Sequence, residues 1–199
     1  MMLNHITEKS FWIFDLDGTL TLPVHDFAFI CRELEIPYGA DILGHLDSLP
    51  EVEASVRHAR LQEIELELAH RAEPSFGALE TMARLHRSGA RLGILTRNDK
   101  DIALLTLDTI GASRYFASED VLGRSDALPK PDPDGIHRLL SGWGADAADA
   151  VMVGDYLFDL QAGRAAGTAT VHVGRPDGQL WPEFTDLAVA TLVDLTIHL

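Results

Sequence analysis

Short apolar runs alternate with helix-period segments along most of the chain. FWIF (11–14), ARLGILT (90–96), AVMVG (150–154) and TATVHV (168–173) are dense in large or β-branched apolar side chains and lie beside Gly, Asp or Asn. Continuous apolar runs of this length suit strands buried on both faces, the condition of a parallel sheet. RYFA (114–117) and LAVA (187–190) are weaker strand candidates. Between the runs, apolar positions recur at helical spacing over 75–88 (Leu79, Met82, Ala83, Leu85), 99–110 (Ile102, Leu105, Leu107), 134–143 and 157–166, with Gly89, Gly111 and Gly167 as stops. The alternation predicts an α/β fold: a mostly parallel sheet flanked by helices.

Residues 23–74 interrupt this rhythm and hold no convincing strand. HDFAFICRELEI reads as one helix, and PEVEASVRHARLQEIELELAHRA as a longer one, with Pro50 in its first turn and Val52, Val56, Leu61, Ile64 and Leu68 as its apolar stripe. Pro23 and Pro74 bracket the segment. The expected division is a core from 1–22 and 75–199, with 23–74 as a small all-helical insertion.

Composition narrows the class. With 199 residues, 46% of them hydrophobic, the chain can bury a sizeable core without staples. Cys31 is the only cysteine, so it forms no intrachain disulfide and reads as a small buried apolar side chain in a cytoplasmic protein. A formal charge of −15 with no Lys/Arg run argues against nucleic acid and anionic membrane surfaces as partners. The opening MMLNHITEKS lacks the apolar stretch of a secretory leader, and no run is long enough to span a bilayer.

The chemistry-bearing residues gather where the strands end. Asp15, Asp17, Gly18 and Thr19 follow the first run; Thr96, Arg97 and Asn98 follow the second; Asp155 and Asp159 follow AVMVG; Lys130 lies between two prolines in the loop ALPKPDPDG. Ligands of open α/β sheets sit at this carboxyl edge. Two aspartates two residues apart beside a core are costly unless something compensates their charge.

DLDGTLT, LTRN, PKPDPDGI and VGDYLFDLQAG resemble, in order, the motifs of the haloacid dehalogenase superfamily, and within it those of the phosphoglycolate-phosphatase-like branch. The resemblance spans about residues 11–173 apart from the insertion, which sits where that branch carries a helical cap; FTDLAVATLVDL resembles the branch's closing strand and helix. It implies a Rossmann-like core of strand order 5-4-1-2-3 and a Mg²⁺-dependent phosphatase acting on a small phosphorylated metabolite, as a monomer or homodimer.

Under that resemblance Asp15 is the nucleophile that forms an aspartyl-phosphate, and Asp17 protonates the leaving group and then activates water. This asks for Asp17 protonated while Asp15 is ionised. Asp15, Asp155 and the Asp17 backbone carbonyl hold the metal, with Asp159 holding a metal-bound water or Lys130. Thr96 and Lys130 steady the phosphoryl group, Gly18 and Thr19 shape the loop that binds it, and Arg97 and Asn98 stand beside it. Asn98 suits capping the next helix as well as it suits a ligand role, and Asp99 reads as a cap. In the insertion, His25, His45, Arg57 and Arg60 are candidate substrate contacts, the two arginines being three apart and so on one helix face. A phosphosugar mutase is the alternative on the same scaffold. A non-catalytic phosphate-binding protein is disfavoured because Asp15, Asp17, Lys130 and Asp155 are all present.

Overall fold

The computed structural model describes residues 6–23, 26–174 and 178–199. Its centre is a six-stranded sheet ordered β3-β2-β1-β4-β5-β6. The strands are β1 (Phe11–Phe14), β2 (Arg91–Leu95), β3 (Val121–Leu122), β4 (Ala150–Gly154), β5 (Ala169–Val173) and β6 (Leu187–Val189). Every neighbouring pair is parallel. Read from the other edge, the first five strands follow the expected 5-4-1-2-3 order, and β6 extends the sheet beyond β5.

The helices are α1 (Phe27–Glu33), α2 (Ile42–Asp47), α3 (Glu51–His70), α4 (Ala78–Arg87), α5 (Lys100–Thr109), α6 (Asp134–Trp143), α7 (Leu157–Ala166) and α8 (Leu192–His198). Strand periodicity sends alternate β1 side chains to opposite faces. Trp12 and Phe14 join the core formed with Met82 and Leu85 of α4, Leu107 of α5 and Leu195 of α8. Ile13 joins the opposite core, formed with Ile136 and Leu139 of α6 and Ala162 of α7. Burial on both faces is why β1, β2, β4 and β5 read as plain apolar runs.

The third strand lies elsewhere than expected. RYFA does not form a strand: Ser113–Tyr115 make a 3-10 turn, with Phe116 buried behind it. The strand is Val121–Leu122, paired with Ile94 and Leu95. Two residues are too few to show a period in sequence.

The helical segment leaves and rejoins the core through a two-stranded clip. Thr21 bridges Pro74, the Leu22 N–H donates to Glu73 O at 2.9 Å, and the Ser75 N–H donates to Leu20 O at 2.8 Å. The segment has its own apolar cluster of Ile30, Cys31, Leu34, Ile36, Leu46, Leu61 and Ile64. Of the stripe foreseen on α3, Val52 and Val56 are exposed; the cluster is too small to cover a 20-residue helix end to end. The short helix α2, started by Asp41 accepting from the Gly44 N–H, has no counterpart in the periodicity. Among the described residues no helix is long and apolar enough to cross a membrane.

Candidate active site

Asp15 continues the sheet one residue past β1, its N–H donating to Val153 O at 2.9 Å. The chain then turns at Gly18, whose φ of +85° belongs to the left-handed region. A Cβ at Gly18 would stand 2.7 Å from Asp155 Oδ2, so the loop after β1 and the loop after β4 meet there without room for a side chain. Thr19 is fully buried and donates its hydroxyl to Asp155 Oδ1 at 3.1 Å, with Asp15 Oδ2 at 3.4 Å.

Lys130 enters from the loop before α6. Its ammonium meets Asp15 Oδ1 at 2.6 Å, Asp159 Oδ1 at 2.6 Å and the Leu95 carbonyl at 2.7 Å. Three acceptors match the three N–H donors of an ammonium. Burial alone would lower the lysine pKa, but Asp15 and Asp159 outweigh it and raise the group above its ordinary value. Asp159 is fixed from its other oxygen, Oδ2, by the Tyr156 N–H at 3.0 Å. Burial pushes its carboxyl up to about 6 against the pull of Lys130. Asp155 is pushed up to about 7, by burial first and then by the charge of Asp15, with the Thr19 hydroxyl opposing.

Oxygens of Asp15, Asp155 and Asp159 lie within 4.8 Å of one another. One ammonium among three carboxylates leaves an excess of negative charge, which adds to burial in raising Asp155. An all-oxygen donor set of this charge fits a hard divalent cation. Asp159 meets Lys130 with Oδ1 and the Tyr156 N–H with Oδ2, so it buttresses the lysine from the side away from Asp15.

The second motif lines the other side. Thr96 is buried at the end of β2, and its hydroxyl accepts from the Asn98 N–H at 3.0 Å. Asn98 turns its Nδ2 toward Asp17 Oδ2 at 3.4 Å, while Asp99 caps α5. The Arg97 guanidinium pairs with Asp41 and lies 5.6 Å from the Phe158 ring centroid. Among the described residues, Arg97 Nε is the buried side-chain polar atom left without a hydrogen-bond partner.

The arginines expected to face substrate are engaged within the helical segment. Arg57 bonds to Leu34 O, Glu35 and Glu53, and Arg60 to Glu33 and Glu63. His45 is half-buried on α2, and His25 lies outside the described residues. Two features escaped the sequence reading. His172 on β5 is buried with Nε2 3.2 Å from the Asp155 carbonyl, and burial lowers its pKa. Glu65 of α3 is buried and paired with Arg124, just after β3, by two bonds of 2.9 and 2.5 Å. The available signal for the second was that Glu65, unlike Glu67 in the same run IELEL, shares the helix face of Leu61 and Leu68.

Comparison with known proteins agrees with the geometry. The family model for haloacid dehalogenase-like hydrolases matches residues 31–173, well over half of the chain. The pyrophosphatase PpaX of Listeria innocua is 30% identical, with 81% of each chain aligned. The phosphoglycolate phosphatase of Agrobacterium fabrum is 30% identical over 73% of this chain but only 57% of its own length. Among solved structures, a hydrolase from Pseudomonas syringae superposes with a TM-score of 0.78 over 96% of this chain and 97% of that one, at 23% identity, a likeness of fold. With four motifs converging on one sheet edge and the family model covering most of the core, the chain belongs to the haloacid dehalogenase-like hydrolases.

Proposed function

We propose that the chain is a Mg²⁺-dependent phosphatase of a small phosphorylated metabolite, working through a phosphoaspartate on Asp15. The observation that carries this reading is the buried Lys130 ammonium, 2.6 Å from both Asp15 and Asp159, beside a third carboxylate at the carboxyl edge of the sheet. A phosphate dianion repels an aspartate nucleophile, so such a site must gather positive charge before attack. Asp15, Asp155 and the Asp17 carbonyl would hold the cation, which would supply charge to neutralise the phosphoryl group.

The chain's own residues do the rest. Lys130 fixes the Asp15 carboxylate and presents charge to the phosphoryl oxygens, while Asp159 keeps the lysine in place. Asp15 Oδ forms a bond to phosphorus as the ester oxygen departs with a proton from Asp17. Asp17 then takes a proton from water, which attacks phosphorus, releases inorganic phosphate and restores the Asp15 carboxylate. The Thr96 hydroxyl and the unpartnered Arg97 Nε are donors for phosphoryl oxygens.

The helical segment, clipped to the core directly after the Asp15–Thr19 loop, acts as a cap over this chemistry. With Arg57 and Arg60 engaged by glutamates, recognition beyond the phosphate falls to the cap–core seam. The names of the two curated relatives, one a phosphoglycolate phosphatase and one a pyrophosphatase, favour a small substrate. The test is phosphate release across a panel of small phosphorylated metabolites, with Mg²⁺ and with chelator, using Asp15→Asn as the blank. Release that depends on metal and on Asp15 supports the reading; release persisting in excess chelator, or in the variant, overturns it.

A further inference from the structure

Glu65 and Arg124 come from opposite sides of the seam between the helical cap and the core. Glu65 sits in the middle of α3, and its partner lies 59 residues further along the chain, in the loop after β3. The contact is bidentate, with Oε1 to one guanidinium nitrogen at 2.9 Å and Oε2 to the other at 2.5 Å. Both side chains are largely buried, at 10% and 17% exposure.

A buried ion pair is weak as a source of stability, because desolvation of both charges offsets their attraction. It is strong as a register device, since either charge left alone in the same place is costly. This pair can form only while α3 lies on the core.

The pair also reaches the acid/base aspartate. The Arg124 backbone N–H donates to Asn98 O at 2.9 Å, and Asn98 Nδ2 faces Asp17 Oδ2 at 3.4 Å. Glu65, Asn98 and Asp17 line one narrow pocket at the seam, which places the pair beside the half-buried Asp17. The loop is built to hold Arg124 there. A Cβ at Gly123 would stand 2.5 Å from Lys100 N and 2.8 Å from Asn98 O, and the Gly123 N–H is tied to Asp126 Oδ2 at 2.9 Å.

Resting on the phosphatase reading, we infer that the Glu65–Arg124 pair is the closure latch of the cap, and that through Asn98 it positions Asp17 for proton transfer. Opening the seam to admit substrate breaks the pair. Re-forming it excludes water and aligns Asp17, as lid closure does in other enzymes.

The experiment compares wild type, Glu65→Gln, Arg124→Lys and the charge-swapped double variant Glu65→Arg/Arg124→Glu. Steady-state turnover of p-nitrophenyl phosphate with Mg²⁺ is measured alongside hydrogen exchange of the purified full chain. The latch predicts a kcat lower by about 10- to 100-fold in Glu65→Gln, with KM moving by less than about threefold. Arg124→Lys, which keeps the charge but loses the two-point contact, falls between. The swapped variant recovers at least about tenfold over the single changes. Exchange in α3 accelerates in Glu65→Gln while that of α6 and α7 is unchanged. Wild-type kcat and α3 exchange in Glu65→Gln would overturn the latch. So would a rise in kcat/KM, which would make Glu65 a competitor for the anion site on Arg124. If wild type releases no phosphate at all, the phosphatase reading fails, and exchange in α3 still decides whether the pair holds the cap.

Discussion

The Lys130 ammonium and the Asp15 carboxylate form a buried ion pair at 2.6 Å, at the carboxyl end of the central strand. The lysine is drawn from a loop 115 residues away and is held on its far side by Asp159. A positive charge is thereby built into the fold at the point where the proposed nucleophile must approach an anion.

Replacing that charge tests its structural weight. Lys130→Met leaves Asp15 and Asp159 facing each other without a counter-ion, so unfolding free energy should fall by about 3–5 kcal/mol. Mg²⁺ should restore part of the loss by supplying positive charge. Denaturant titration with and without Mg²⁺ is the measurement; a variant as stable as wild type in chelator would contradict the account.

Proton linkage at Asp155 gives a second prediction. Its carboxyl rises from an ordinary 3.8 to about 7 on folding, and Asp159 moves the same way, to about 6. Between these limits the folded chain binds more protons than the unfolded one. Stability of the metal-free protein therefore falls as pH rises through that window, and the penalty is complete above about pH 7. A cation relieves the penalty only where the carboxyls are charged. The rise in melting temperature on adding Mg²⁺ should thus be larger near pH 8 than near pH 5. An equal shift at both, or an undiminished one in Asp155→Asn, would contradict this.

Close backbone approach gives a third. A Cβ at Gly154 would lie 2.3–2.4 Å from the Asp159 side chain, including its carboxyl carbon and Oδ2. Gly154→Ala must push Asp159 off Lys130, at a cost of about 1–3 kcal/mol. Activity should fall further than stability alone explains, since the lysine loses its anchor. Chemical denaturation together with turnover under folding conditions measures both; full activity in this variant would remove Asp159 from the account.

Much of this was legible in the sequence because burial leaves a mark. FWIF and AVMVG are uninterrupted apolar runs because β1 and β4 are covered on both faces, and the acids that follow them stand out against that background. Gly18, Thr19 and Thr96 follow the same strand ends, while Lys130 was legible only through the resemblance of PKPDPDGI; hydrogen bonds join Thr19 to Asp155 and Lys130 to Asp15. Val121–Leu122 was illegible because a two-residue strand has no period, and RYFA drew the assignment through its aromatic character alone. With that strand misplaced, Arg124 had no visible reason to sit at the ligand edge. Arg57 and Arg60 were read correctly as sharing a helix face, but i,i+3 and i,i+4 spacing also places Glu63 and Glu53 within their reach. Sequence spacing fixes which side chains are neighbours, and local charge decides which of them stay available for a ligand.

In the proposed mechanism phosphate passes through a covalent bond to Asp15. Its most direct test is acid quenching of Asp17→Asn during reaction with p-nitrophenyl phosphate and Mg²⁺, followed by mass analysis of the peptide carrying Asp15. That ester's leaving group departs without a proton, so the first step survives the substitution while water activation does not. A phosphate adduct should accumulate on Asp15 with a burst of nitrophenol, and none should form in Asp15→Asn. Turnover by the wild type with no adduct in Asp17→Asn, or an adduct on any other residue, would contradict it.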